Sequence, residues 1–399
     1  MLKQVITLIL LATITQAGAQ DASAWRLVDS LYAVGNYSAA IQELEKWETE
    51  SPKISLMLAR AHQAKGTLNK ALENYKWVSA EAGQTIAATE YSKLLLATEK
   101  HKVADSVLTT LIASNGENPN YYYLRGLARK EMKINFKDTA EVREAIEREA
   151  GLLDFEKAVT LDSTHQKALY ESAYIFIKYK KYKLAEERCN MALRAYPNNT
   201  RILSLQAQNY YNRGYIALAR PVFEKLIALG KGSAYVHNRL GQVYAREKRH
   251  QDAVEQFIAL LGFNEDDYNA HFLLAKSYKA LGNFQKAEEH LIKSISLKDL
   301  PLTEEYNVLS ETYREQKEFE KAMKYVNLAI AENPEDKKNV FAYYNKAVIA
   351  DNYYKDREAV VKLYEESAAQ FEKHYKMKLP ILERRLKELR EEAYFATEE

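Results

Sequence analysis

Residues 240–260 read LGQVYAREKRHQDAVEQFIAL, and residues 274–294 read LAKSYKALGNFQKAEEHLIKS. The second segment repeats the pattern of the first 34 residues later: a small residue near the start, a tyrosine three positions on, and an alanine in the second half. A fixed period of this length is typical of proteins built from stacked structural units. The sequence therefore predicts a repeat array.

The alanine of this pattern recurs along most of the chain. From Ala185 onward the successive steps are 34, 34, 34, 35 and 37 residues, and the first two steps near the N-terminus are 31 and 33. The step of 81 residues from Ala104 to Ala185 corresponds to two units and about 13 extra residues. The repeat alanines are Ala40, Ala71, Ala104, Ala185, Ala219, Ala253, Ala287, Ala322 and Ala359.

Glycine and proline mark the ends of the helices in each unit. Gly35, Gly66, Gly214 and Gly282 each stand five residues before a repeat alanine, where a left-handed residue is expected to end a helix. Five of the seven prolines fall between units, where helices must stop. Each unit is therefore predicted to be two helices of roughly 12–15 residues joined by a short turn.

These motifs resemble the tetratricopeptide repeat (TPR) family. The family pattern L-G-x-x-Y followed by A-x-x-x-F is present in residues 240–257, and the leading tryptophan of the family is replaced by His237, His271 or Tyr306. About ten repeats, from Ala22 to roughly Tyr375, share the resemblance. It implies an all-α fold, an α-α superhelix (TPR solenoid), whose first helices line a concave groove for partners.

The charge balance and the cysteine content of the chain exclude some classes of function. The chain has 399 residues, of which 28% are charged, and its 57 Lys and Arg nearly balance its 55 Asp and Glu. Proteins that bind nucleic acid usually carry a strong basic excess, so nucleic acid is not an expected partner. Cys189 is the only cysteine, which excludes an internal disulfide and a cysteine-based zinc site.

Residues 1–19 have the pattern of a secretory signal peptide. Lys3 precedes an apolar run at residues 5–14, and Ala-Gly-Ala at residues 17–19 provides a cleavage motif. The run is shorter than the roughly 20 residues that span a bilayer, and no later stretch is apolar enough for a membrane span. The protein is expected to be exported, and periplasmic or secreted after the signal peptide is removed. A buried N-terminal helix is the alternative.

Two further segments are expected after the signal peptide. A TPR solenoid occupies residues 20–376, with a charged insertion at about 131–150 that is predicted to be an extra or lengthened helix, or else a loop. A C-terminal capping helix occupies residues 377–399 and is expected to cover the core of the last repeat. Its apolar residues are Leu379, Ile381, Leu382, Leu386 and Leu389.

The sequence shows no motif for catalysis, a cofactor or a metal. The eight histidines include no H-E-x-x-H pair, and His237 and His271 stand one repeat apart, as a repeat position does. Cys189 takes the place of Phe257 and Leu291 in other units, so it is predicted to be a buried apolar residue. A non-enzymatic protein without cofactors is expected. An enzyme using carboxylates of the groove is the alternative from another class.

Tyrosine is over-represented, with 29 tyrosines against 12 phenylalanines and 3 tryptophans. Many fall at packing positions, but others fall on the first-helix face that is predicted to line the groove. We expect a protein or peptide partner there, held by a scaffold of the bacterial cell envelope. A carbohydrate-binding solenoid that stacks these tyrosines on sugars is the alternative. The candidate groove residues are Tyr123, Tyr170, Tyr174, Gln208, Tyr211, Asn238, Gln242, Phe272, Lys276, Asn307 and Tyr344.

Overall fold

The computed structural model describes residues 23–47, 51–80, 84–132 and 151–396. These residues form helices joined by turns, and none of them lies in a β-strand. The predicted all-α fold of helix-turn-helix repeats is therefore confirmed. None of the described helices has both the length and the apolar composition needed to cross a membrane. The predicted signal peptide and nearly all of the predicted insertion lie outside the described residues.

The chain divides into two compact units, Met1–Leu205 and Gln206–Glu399. The helices of the first unit are α1 (23–33), α2 (Tyr37–Glu45), α3 (Pro52–Lys65), α4 (Leu68–Ala80), α5 (Thr85–Ala97), α6 (His101–Ser114), α7 (Pro119–Glu131), α8 (Leu152–Leu161), α9 (Gln166–Lys178) and α10 (Tyr182–Ala195). Helix α11 (Thr200–Asn212) crosses the boundary. The second unit continues with α12 (Ile216–Ala228), α13 (Ala234–Arg246), α14 (His250–Leu261), α15 (Tyr268–Ala280), α16 (Phe284–Leu297), α17 (Thr303–Glu315), α18 (Phe319–Glu332), α19 (Val340–Tyr353), α20 (Arg357–Tyr375) and α21 (Pro380–Ala396).

The helices pair as helical hairpins, in which an odd-numbered first helix is followed by an even-numbered second helix. Second helices also pack against the first helix of the next hairpin, as α4 does against α5 and α14 against α15. Neighbouring first helices touch as well, for example α13 with α15 and α15 with α17. Each hairpin thus buries its apolar surface against its neighbours, as repeat units must.

In eight of the hairpins the turn uses a residue in the left-handed conformation, and only four of these residues are glycine. The four predicted glycines have φ between 73° and 87°, as expected: Gly35, Gly66, Gly214 and Gly282. The equivalent residues of four other hairpins have side chains and φ between 57° and 63°: Glu99, Lys180, Lys248 and Lys317. These side chains are not β-branched, so they tolerate a positive φ at moderate cost. A turn glycine therefore identifies only some of the hairpins.

The core of each hairpin pairs a small residue of the first helix with a larger residue of the second. In the α13–α14 hairpin a Cβ atom added at Gly241 would lie 2.5 Å from Phe257 Cε1, so the ring packs directly against the glycine backbone. Ala275 and Leu291 occupy the same two positions in the next hairpin, and both are fully buried. Cys189 takes the second position between α9 and α10 and is fully buried, as predicted.

Hydrogen bonds from buried tyrosines connect neighbouring hairpins. Tyr244 Oη donates to Glu224 at 2.9 Å, and Tyr313 Oη donates to Glu288 at 2.6 Å. In both pairs the carboxylate lies on the second helix of the preceding hairpin. Burial, followed by the Glu224 carboxylate, raises the pKa of Tyr244 to about 12, so its hydroxyl remains a donor. A phenylalanine would fill the same space without this bond, which favours tyrosine at these positions.

The C-terminal helix α21 packs on α20 through apolar side chains and forms an ion pair with α19. Leu382 and Leu389 are buried in this contact, whereas Ile381, another of the apolar residues named for this helix, is 51% exposed. Ile381 precedes Leu382 by one residue, and a step of one residue turns the side chain about 100° around the helix. Arg385 bonds both carboxylate oxygens of Asp351, at 2.8 and 2.9 Å. The helix covers the core at the end of the second unit.

Candidate functional site

Helical periodicity gives each first helix a buried side and an open face. In α13 the residues Val236, Leu240 and Tyr244 are buried four positions apart. The polar residues between them are half-buried or exposed, because they lie on the other side of the helix. We call this outward side of a first helix its open face. In α13 it consists of Tyr235, Asn238, Arg239, Gln242 and Arg246.

Two predicted groove residues form an aromatic platform in the first unit. Tyr170 and Tyr174 stack with ring centroids 6.5 Å apart and an interplanar angle of 12°. Tyr174 is 43% exposed, and Lys130 of α7 lies 5.5 Å from its ring centroid. The guanidinium of Arg201 lies 4.1 Å from the Tyr170 centroid. The platform therefore combines exposed ring area with cations from two neighbouring helices.

Tyr123 lies close to this platform but serves mainly in packing. Its ring centroid is 6.0 Å from that of Phe155 and 5.3 Å from that of His165. Burial raises the pKa of Tyr123, and the Glu171 carboxylate adds to this effect. The same carboxylate pairs with Lys130 at 2.8 Å. Tyr123 thus contributes less open area than Tyr174.

The second unit holds a polar network around Tyr211. Tyr211 Oη donates to Gln242 Oε1 at 2.6 Å, and Gln242 Nε2 donates to Asn238 Oδ1. The guanidinium groups of Arg239 and Arg246 each lie 4.9 Å from the Tyr211 ring centroid. Three predicted groove residues are therefore brought together, with two arginines that were not predicted.

Phe272 occupies the same repeat position as Asn238 but is buried. It is 8% exposed and packs in a core cluster with Ala275 and Leu291, so its ring offers little area to a partner. Lys276, one turn later, is exposed and lies 5.3 Å from the Phe272 ring centroid. It also borders a cavity of about 320 Å³ formed by α15 and α17. Of these two predicted groove residues, only Lys276 has a side chain that a partner can reach.

The last three predicted residues are half-buried. Tyr344 packs against the final core cluster and meets Tyr364 edge-on, with ring centroids 6.5 Å apart. Asn307 has a buried Oδ1 atom without a hydrogen-bond partner among the described residues. Gln208 lies on α11. In the described contacts, these residues join neither the Tyr170–Tyr174 platform nor the Tyr211 network.

Sequence reasoning missed the arginines of the open faces, Arg201, Arg239 and Arg246. The signal was present in the spacing, since Arg246 stands four residues after Gln242 and therefore on the same side of α13. Arginine commonly packs its planar guanidinium on aromatic rings, so a tyrosine-rich face favours it. Tyr211 precedes Arg239 by 28 residues and Arg246 by 35 residues. That these two arginines contact the Tyr211 ring could therefore be seen only in the packed structure.

Cys189 and the His271–His290 pair lie within the packed helices. Burial, with a smaller effect of the Glu186 carboxylate, raises the pKa of Cys189 to about 12, so it remains a thiol. His271 Nδ1 lies 3.0 Å from His290 Nδ1, and His271 Nε2 lies 2.9 Å from the Glu265 carbonyl oxygen. In the four described ranges, no three His, Cys, Asp or Glu side chains form a group that could hold a metal ion.

Comparison with known families identifies the repeats of the second half of the chain. One family model, described as tetratricopeptide repeat, matches residues 204–263. A second model with the same description matches residues 268–299 and 306–336. Together these segments contain hairpins from α11 to α18. No curated protein sequence matches the chain.

Several solved structures have similar helical arrays at low sequence identity. YrrB, a TPR protein with an unusual peptide-binding site, is 24% identical, with 48% of this chain and 92% of that chain covered and a TM-score of 0.41. The C-terminal part of a TPR protein from Cytophaga hutchinsonii is 19% identical, with coverages of 64% and 98% and a TM-score of 0.47. A tetratricopeptide repeat protein from Parabacteroides merdae is 16% identical, with coverages of 70% and 99% and a TM-score of 0.41.

Proposed function

We propose that this chain, in which tetratricopeptide repeat models match residues 204–263, 268–299 and 306–336, is a non-enzymatic scaffold of the cell envelope that holds a peptide segment of a partner protein on its open faces. Repeat arrays present extended surfaces for protein partners. The observation that carries the proposal is the Tyr170–Tyr174 platform, in which Tyr174 is 43% exposed. Tyrosine offers a large, stiff contact area with a polar tip, which suits recognition.

A peptide suits this platform better than a sugar does. Arg201 lies 4.1 Å from the Tyr170 ring centroid, so a sugar that stacks on this ring would have to displace a guanidinium. A peptide side chain can pack on Tyr174 instead. Lys130, whose side chain is 30% exposed, supplies a donor for the peptide backbone beside that ring.

Replacing both Tyr170 and Tyr174 with alanine is expected to weaken partner binding by about tenfold or more, because aromatic anchors usually carry most of the binding energy. The melting temperature is expected to fall by no more than about 2 °C, since Tyr174 is exposed and Tyr170 is only partly buried against the core. A photoreactive residue at position 174 would capture the partner from the envelope fraction. Binding of the purified partner is then measured by calorimetry.

Tyr196→Ala is the matched control, because Tyr196 is also an exposed tyrosine of the first unit but lies after α10 and not on an open face. It should leave partner binding unchanged. A loss of several degrees in the double variant would instead make the two rings part of the core. Binding to a glycan array, without capture of a protein, would favour the carbohydrate alternative.

Export of the protein is part of the proposal and is supported by the sequence of residues 1–19. The native protein should begin near Gln20, because the Ala-Gly-Ala motif ends at Ala19. N-terminal sequencing of protein isolated from the source organism measures this directly. Native protein that retains Met1 and fractionates with the cytoplasm would contradict export.

A further inference from the structure

Arginines on the first helices fall into two groups. Arg60 bonds both carboxylate oxygens of Glu90, at 2.7 and 2.8 Å. Arg314 donates to Asn345 Oδ1 at 2.6 Å. In this group the protein itself supplies the acceptor for the guanidinium, which leaves little capacity for a partner.

Arg239 and Arg246 belong to the other group. Each guanidinium lies 4.9 Å from the Tyr211 ring centroid, and Arg239 also lies 5.4 Å from that of Tyr235. Within the part of the chain that the structure describes, neither arginine forms an ion pair. The aromatic rings hold the two cations in place without neutralising them. Two positive charges are therefore available on one open face.

The amide network beside them is also oriented to donate. Tyr211 Oη donates to Gln242 Oε1, and Gln242 Nε2 donates to Asn238 Oδ1. This direction uses both amide oxygens as acceptors, so the network ends at the Asn238 amide group, which can only donate. Arg239, Arg246 and Asn238 thus present donors, and a complementary ligand must supply acceptors and negative charge.

We propose that Tyr211, Arg239 and Arg246 form a docking site for an acidic segment of the partner protein, in which two carboxylate side chains stand two residues apart in an extended chain. The inference rests on the proposed peptide-binding function and names the chemistry of the peptide. Each guanidinium offers a planar pair of N–H groups that matches one carboxylate. The Tyr211 ring holds both guanidinium groups beside one another on the same open face.

The spacing of the arginines agrees with this ligand. Both guanidinium carbons lie 4.9 Å from the same ring centroid, so they are at most about 10 Å apart. Alternate residues of an extended chain point to the same side and are about 7 Å apart, and the flexible glutamate side chain covers the difference. The arginines stem from positions seven residues apart on α13, about 10 Å along its axis, so each guanidinium can pair with a separate carboxylate.

The test uses the full chain and a fluorescent peptide of sequence Gly-Ser-Glu-Ala-Glu-Ser-Gly, with Gln in place of both Glu in the comparison peptide. Fluorescence anisotropy is measured at about 50 mM and about 300 mM salt. The acidic peptide should bind at least about tenfold more tightly at low salt, and the difference should shrink at high salt. Arg239→Gln combined with Arg246→Gln should remove about tenfold of the affinity for the acidic peptide.

The control variant combines Arg194→Gln with Arg384→Gln, which removes two exposed guanidinium groups outside the open faces. It should change the affinity by less than about twofold, because distant exposed charges are screened by salt. Equal binding of the two peptides, or full binding by the Arg239→Gln, Arg246→Gln variant, would overturn the proposal. Displacement of the acidic peptide by inorganic phosphate at equal concentration would also overturn it, in favour of a phosphate site.

The two functional proposals fail in different ways. If the partner captured at position 174 binds the Arg239→Gln, Arg246→Gln variant as tightly as the wild type, the acidic site is wrong and the scaffold function stands. If the acidic peptide binds through the arginines while no protein is captured at position 174, the acidic site stands and the assignment of the Tyr170–Tyr174 platform is wrong.

Discussion

Replacing Gly241 with leucine is expected to lower the free energy of unfolding by about 3 kcal/mol, because there is no space for a side chain between α13 and α14. A Cβ atom at this position would already lie 2.5 Å from Phe257 Cε1, and the Phe257 ring is fully buried. Helix propensity alone predicts the opposite sign, since leucine is favoured over glycine by roughly 0.8 kcal/mol in a helix interior. Urea denaturation followed by circular dichroism measures the change.

Two further variants make this result specific. Gly241→Ala should cost less than Gly241→Leu, because the α11–α12 hairpin carries the buried pair Ala207 and Phe223 at the same positions. Glu255→Leu is the control on the exposed side of α14 and should change the stability by no more than about 0.5 kcal/mol. A Gly241→Leu variant that is as stable as the wild type would show that the close approach of the two helices is not needed.

Deleting residues 379–399 is expected to destabilise the end of the second unit by at least about 4 kcal/mol and to cause aggregation. The deletion removes two buried leucines, Leu382 and Leu389, and a truncation to alanine at such a site costs about 2–5 kcal/mol each. It also uncovers Val360, Tyr364 and Phe371 and leaves Asp351 without Arg385. Terminal units of repeat arrays need a cover of this kind for solubility.

Point variants in α21 show whether the deletion acts by removing the capping contact or only by shortening the chain. Leu389→Ala should lower the stability by about 2–5 kcal/mol, whereas Ile381→Ala should change it by less than about 0.5 kcal/mol, because Ile381 is 51% exposed. Light scattering and thermal unfolding are measured together. A truncated chain that remains monomeric with an unchanged melting temperature would refute the capping role of α21.

The repeat architecture follows from the sequence because its determinants are local. The 34-residue period, the turn position five residues before each repeat alanine and the burial of Cys189 all depend on a helix and its immediate neighbours. In a repeat array each unit packs against the next, so a pattern within one period specifies most of the contacts. The identity of the turn residue did not follow from this pattern, because Lys248 and Lys317 adopt the left-handed conformation that glycine was expected to provide.

The open faces were decided by the tertiary structure. Asn238 and Phe272 are one period apart and are predicted alike, yet Asn238 joins a polar network while Phe272 packs into the core. Tyr211 gains its two guanidinium neighbours from a helix that begins 23 residues later. The sequence by itself determined the all-α repeat, because backbone period and burial repeat with each unit. Only the packed structure determined which side chains are open, because exposure depends on the size and direction of side chains contributed by the neighbouring hairpin.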